Sequence, residues 1–132
     1  MGQPAAKQGD KIVATDIHIL LIPAPPGSPV PTPFPHPFVG IIDNGLSPDV
    51  KIMGMPAATL GSTATNTPAH MPNGSGPFQL PPTNQGNILI GSPTVMINGK
   101  PAARNGDSAQ TCQDPTPNLA AKVVAVGTVL IG

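Results

Sequence analysis

The sequence has no tryptophan, no tyrosine and no glutamate, only three phenylalanines, and a single cysteine in 132 residues. Each of these gaps removes a class of function. Rings that could stack bases are nearly missing and no basic block exists to neutralise phosphates, which argues against nucleic-acid binding. One cysteine cannot close an intramolecular disulfide. Charged residues are 9% of the chain, six Lys plus Arg against six Asp, for a formal net charge of zero. The longest apolar run is too short to span a bilayer. The amino terminus lacks the basic-then-apolar pattern of a signal peptide, so the expectation is synthesis in the cytoplasm and export by some other route. Helical periodicity with caps is absent as well, and the expected fold class is all-β.

What the chain does have is proline, glycine and a repeat. Twenty prolines and 15 glycines suggest low complexity where no period exists. Here 39% of residues are hydrophobic, and a period is present. Residues 92–107 read SPTVMINGKPAARNGD, and residues 47–62, forty-five positions earlier, read SPDVKIMGMPAATLGS. Ser47, Pro48, Val50, Ile52, Pro56, Ala57, Ala58 and Gly61 fall in register without a gap. A shorter third copy, PAAKQGD, occupies residues 4–10. A repeat is normally one supersecondary unit that cannot bury its own apolar face. Three copies predict a pseudo-threefold object built as one domain over residues 1–132.

Between the repeats, residues 12–22 (IVATDIHILLI) are rich in β-branched side chains and predict a strand carrying His18. The proline run at 23–37 predicts an extended, polyproline-like loop, since proline lacks a donor and fixes φ. Such a segment also fits the ligand class of SH3-type domains, although a stiff surface loop is the commoner meaning. Residues 38–42 predict a strand and Asp43, Asn44 and Gly45 a turn. A second Pro-rich loop is expected over 72–85, then strands over 86–91 and 123–132. The first repeat lacks a preceding strand, so the two chain ends are expected to complete one unit together.

The chain's three histidines and one cysteine keep step with the repeats. His18 lies 14 residues after Pro4, His70 lies 14 after Pro56, and Cys112 lies 11 after Pro101, while His36 sits in the proline run. Three imidazoles and a thiolate make up a closed tetrahedral shell of the kind that holds structural zinc. Each residue also has a plainer reading, the histidines as satisfied core or surface groups and Cys112 as a small buried hydrophobe. Asp16 and Asp114, close in sequence to His18 and Cys112, are expected to be turn residues or to orient the ligands.

The turn Pro101, Ala102, Ala103, Arg104, the preceding SPTVMINGK segment and the repeated MPAATLGS closely resemble PAAR-repeat proteins over nearly the whole chain. The resemblance implies a small β-rich cone of pseudo-threefold repeats, pinned by one zinc ion on His18, His36, His70 and Cys112. It also implies a partner, the trimeric VgrG-type spike of type VI secretion and related contractile injection systems, which the cone caps. Pro4, Ala5, Ala6, Lys7 and Pro56, Ala57, Ala58, Thr59 depart from the family turn at the fourth position. The expected role is structural, a tip pushed through a target membrane, with no catalysis. Two other classes remain open: an adaptor carrying separate effectors to the spike, and a metal hydrolase, which would need an open coordination position and a general base.

Overall fold

The computed structural model describes residues 2–72 and 76–132, and no helix occurs among the described residues. In chain order the strands are β1 (Gln3–Pro4), β2 (Lys11–Ile22), β3 (Val30–Asn44), β4 (Lys51–Ile52), β5 (Met55–Pro56) and β6 (Thr63–Asn66). They continue as β7 (Gln85–Ile88), β8 (Met96–Ile97), β9 (Lys100–Pro101), β10 (Ser108–Thr111), β11 (Asn118–Val124) and β12 (Leu130–Ile131). Six of them close into an antiparallel barrel in the order β10-β11-β2-β3-β6-β7, which leaves no open edge there. The others pair into ribbons β4-β5, β8-β9 and β1-β12. Each ribbon links two adjacent barrel strands. In the third the two chain ends pair with each other, Gln3 with Ile131 and Pro4 with Leu130.

The repeats meet in a ring. Ala6 donates its N–H to the Ala103 carbonyl (2.9 Å), Ala103 to Ala58 (3.1 Å), and Ala58 back to Ala6 (3.0 Å). Bridges Ala5–Arg104, Lys7–Ala57 and Thr59–Ala102 repeat the same cyclic order. Gly9, Gly61 and Gly106 each take φ near +90°, and each donates to a barrel carbonyl, of Ile42, Ile88 and Val123 respectively. That left-handed backbone explains the glycine in every copy. All six alanines of the turns are buried. Ala6, Ala58 and Ala103 join the barrel core with Ile12, Phe38, Ile42, Ile88 and Val123. Ala5, Ala57 and Ala102 form a second core with Ile52, Ile97 and Ile131 of the ribbons.

One expectation needs correction. The run at 23–37 is a loop only up to residue 29; from Val30 it belongs to β3, which pairs with β2 without a break from Ile22–Val30 to Lys11–Ile41. Leu21 donates its N–H to Pro77 and Ile19 accepts from Gln79, so the odd residues of β2 turn their backbone groups away from β3. The ladder between the two strands therefore runs through even residues. Pro31, Pro33, Pro35 and Pro37 lie opposite odd ones, where a strand partner asks for no donor. Their alternation also puts Thr32, Phe34, His36 and Phe38 on one face.

The other strands fall near their expected places with shifted ends. The strand expected at 86–91 is Gln85–Ile88, and that at 123–132 splits into β11 and β12. Asp43 and Asn44 end β3 rather than lying in a turn, and the chain bends at Gly45, φ +68°. In the expected loop 72–85, residues 73–75 lie outside the described residues; Pro77 and Gln79 bond to β2, and Leu20 bridges Phe78.

Candidate metal centre

Strand β2 places its even residues inward, so Ile12, Asp16, His18 and Leu20 are all buried. On β3 the inward residue opposite Asp16 is His36. Loop residues after β6 and β10 bring in His70 and Cys112. Two repeats thus deliver one donor each, and the long β2–β3 pair delivers three. His18 is reached seven residues along β2 from Lys11, roughly 23 Å from the repeat turns at strand rise.

Donor atoms of Asp16, His18, His70 and Cys112 all lie within 4.8 Å of one another. Cys112 Sγ is 3.7 Å from His18 Nε2 and 3.7 Å from Asp16 Oδ2, and His70 Nε2 is 3.2 Å from that same oxygen. This group can hold a metal ion. His36 stands beside it, its ring centroid 5.5 Å from those of both His18 and His70. Of the four ligands expected from the sequence, three share the group and the fourth lines its side.

Hydrogen bonds fix which ring nitrogen faces inward. Asp114 Oδ2 lies 3.0 Å from His18 Nδ1, and a carboxylate only accepts, so the proton sits on Nδ1 and Nε2 is bare. His36 Nδ1 donates to the Phe34 carbonyl at 3.0 Å. Its Nε2 is buried without a hydrogen-bond partner. An orphaned buried lone pair is costly unless something occupies it, and a metal ion would. Asp114 therefore fixes the orientation of the His18 ring. Asp16, expected as a turn or orienting residue, is itself one of the four members of the group.

Burial holds the imidazole of His70 below its ordinary value; the hydrogen bond and charge of Asp16 work the other way. Burial likewise pushes the Cys112 thiol up, and the charge of Asp16 adds to this, while hydrogen bonds involving Asn84 and Thr83 oppose it. Both shifts favour the uncharged forms of the two groups, and a metal ion binding here would have to displace the thiol proton.

Phe78 covers the cluster, with ring centroids 5.6 Å from His18 and 5.3 Å from His36. A Cβ on Gly76 would fall 1.7 Å from the Leu21 carbonyl oxygen, so glycine is what lets this cover lie against β2. A groove of about 420 Å³ between Leu80–Thr83 and Gln110–Asp114 reaches Cys112 and His18. The sequence signal for Asp16 was its place two residues before His18 on an inward face. For Phe78, one of three aromatic residues in the chain, there was no local signal.

The predicted turn residues lie elsewhere. Ala102 and Ala103 are in the ring, and Arg104 pairs with Asp107 (Nη2–Oδ1 2.9 Å) at the turn that follows Pro101.

The family model of the PAAR motif matches residues 79–132. The match takes in Cys112 and the turn at 101–104, and it stops short of the three histidines and the first two repeats. The in-register repeats and the closed ring tie those parts to the matched segment. No curated protein matches the chain.

Proposed function

We propose, from the PAAR-motif match over residues 79–132, that the chain is the metal-pinned tip of a trimeric VgrG-type spike in a contractile injection system. The motif associates the chain with such spikes in general; capping of the trimer is the finer reading. The observation that carries it is the cyclic ring Ala6, Ala58, Ala103 with its three ribbons. A single chain can seal the end of a threefold trimer by offering three similar faces. The ribbons also present large apolar side chains outward, Met53, Met55, Met96 and Leu130 among them, beside Lys51 and Lys100. Exposed apolar surface of this kind fits a docking face.

The ion is read as zinc, one per chain, because a thiolate with imidazoles favours it over magnesium or calcium. Its role is to hold the β2–β3 arm and the loops after β6 and β10 together, with no catalytic step. With no Trp or Tyr to anchor at an interface, the tip would pass through a target membrane without lodging in it. No helix of the described residues is long and apolar enough to cross one. The protein would leave the cell on the spike.

Native mass spectrometry of the protein mixed with a trimeric spike tests this reading. One chain per trimer is expected, with binding weakened at least tenfold in a Met96→Asp, Leu130→Asp variant that keeps its fold. Undiminished binding by the variant, or three chains per trimer, would sink it. A third protein held in the complex would add the adaptor role.

A further inference from the structure

We propose that Asn84 is a positioning residue for the metal centre, tying the His70 backbone and the Cys112 thiol to one point. This rests on the metal reading above and is independent of spike docking. The side chains of the cluster arrive in two ways. Asp16, His18 and His36 ride on β2 and β3, whose ladder fixes them. His70 and Cys112 lie beyond the ends of the β6 and β10 ladders, where backbone groups must find other partners. Asn84, the residue before β7, serves both. Its Oδ1 accepts the His70 N–H at 2.7 Å, and its backbone hydrogen-bonds the Cys112 thiol.

Asn84 is itself held. Asn66, buried at the end of β6, donates its backbone N–H to the Asn84 carbonyl (2.8 Å) and its Nδ2 to Asn84 Oδ1 (3.2 Å). The Oδ1 of Asn66 accepts the Val39 N–H of β3 at 2.9 Å. The two amides thus form a strut from β3 to the loops that carry His70 and Cys112. Their orientation follows from the same bonds, because a backbone N–H only donates and the atom facing it must be the amide oxygen. The φ of Asn84 is +59°, in the left-handed region that few residues besides glycine and asparagine visit. Glycine would serve the backbone bend alone. Asparagine serves the bend and also reaches His70.

That difference supplies the test. Asn84→Gly keeps the bend and the backbone contact with Cys112 and removes the hold on His70. Competition with a chromogenic chelator should show zinc affinity lowered roughly 10–100-fold, the loss typical of a group that orients a ligand. With cobalt(II) the visible d–d bands should shift while the thiolate-to-cobalt absorption persists. Asn84→Asp keeps an acceptor at the same place and should recover most of the lost affinity. A glycine variant with wild-type affinity and unshifted bands would overturn the proposal, as would an aspartate variant no tighter than the glycine one. If the variants do not fold, a crystal structure of the zinc-loaded wild-type protein decides. Asn84 Oδ1 is expected within about 3 Å of the His70 nitrogen, and a gap beyond about 3.5 Å would overturn the proposal and leave the zinc site standing. A wild-type protein that takes up neither metal would remove the metal reading together with this inference.

Discussion

Thr59 and Ser62 stand where the other repeats have Lys7 with Asp10 and Arg104 with Asp107. The seventh residue of each turn does one job in all three copies: it accepts the backbone N–H of the fourth. Those bonds are 3.1 Å in the first repeat, 2.9 Å in the second and 2.7 Å in the third. The ion pair is an addition in two of them. Ser62 has a second duty, since its hydroxyl donates to the Gly45 carbonyl at 2.8 Å, and a carboxylate could not. Ser62→Asp should therefore lose about 1–3 kcal/mol, the cost of a buried acceptor left facing an anion. Thr59→Arg added to it should not restore the loss, and the denaturation midpoint would show this. A double variant as stable as the wild type would mean that the ion pair decides the choice. The fourth-position departures were plain in the sequence. Their pairing with the seventh position was not, because it depends on a backbone group and on Gly45, seventeen residues away.

At the scale of the element, β3 shows how a proline-rich stretch can be a strand when its prolines keep one parity. Thr32→Pro would put a proline opposite Leu20, on the even ladder, and should cost about 1–3 kcal/mol for the lost bond. Pro33→Val, opposite Ile19, should change stability by less than about 1 kcal/mol, since no ladder donor is gained or lost there. Equal losses in urea denaturation would show that parity does not matter. The strand β2 was legible, because β-branched residues run through it and its inward face alternates. Its partner was not, because a proline's missing donor speaks against a strand unless the side on which it is missing is known. The same alternation carried His36 inward. The cover over the site was less legible still: it depends on Gly76 and Phe78 meeting β2 from more than fifty residues away in sequence.

For the whole molecule the question is what the ion supports. The ring of alanines and the ribbons hold themselves through backbone bonds and two apolar cores. The donor cluster borders the barrel core at Cys112 and at Phe38, whose ring centroid lies 5.9 Å from that of His70, and otherwise consists of three imidazoles, a thiol and a carboxylate between β2, β3 and two loops. A ligand that binds only the folded state adds about 4 kcal/mol at a thousandfold excess over its dissociation constant. That stabilisation should appear mainly where the ion sits, so removing zinc should loosen the molecule from one end. In hydrogen exchange followed residue by residue, chelated protein should lose protection on the amides of His18, His36 and Leu21. The amides of Ala6, Ala58 and Ala103 should stay protected, and binding to a spike trimer should survive. Loss of protection in the ring at the same rate would mean that the barrel folds as one unit only with its metal. In that case a docking face built on the ring could form only after the ion has bound.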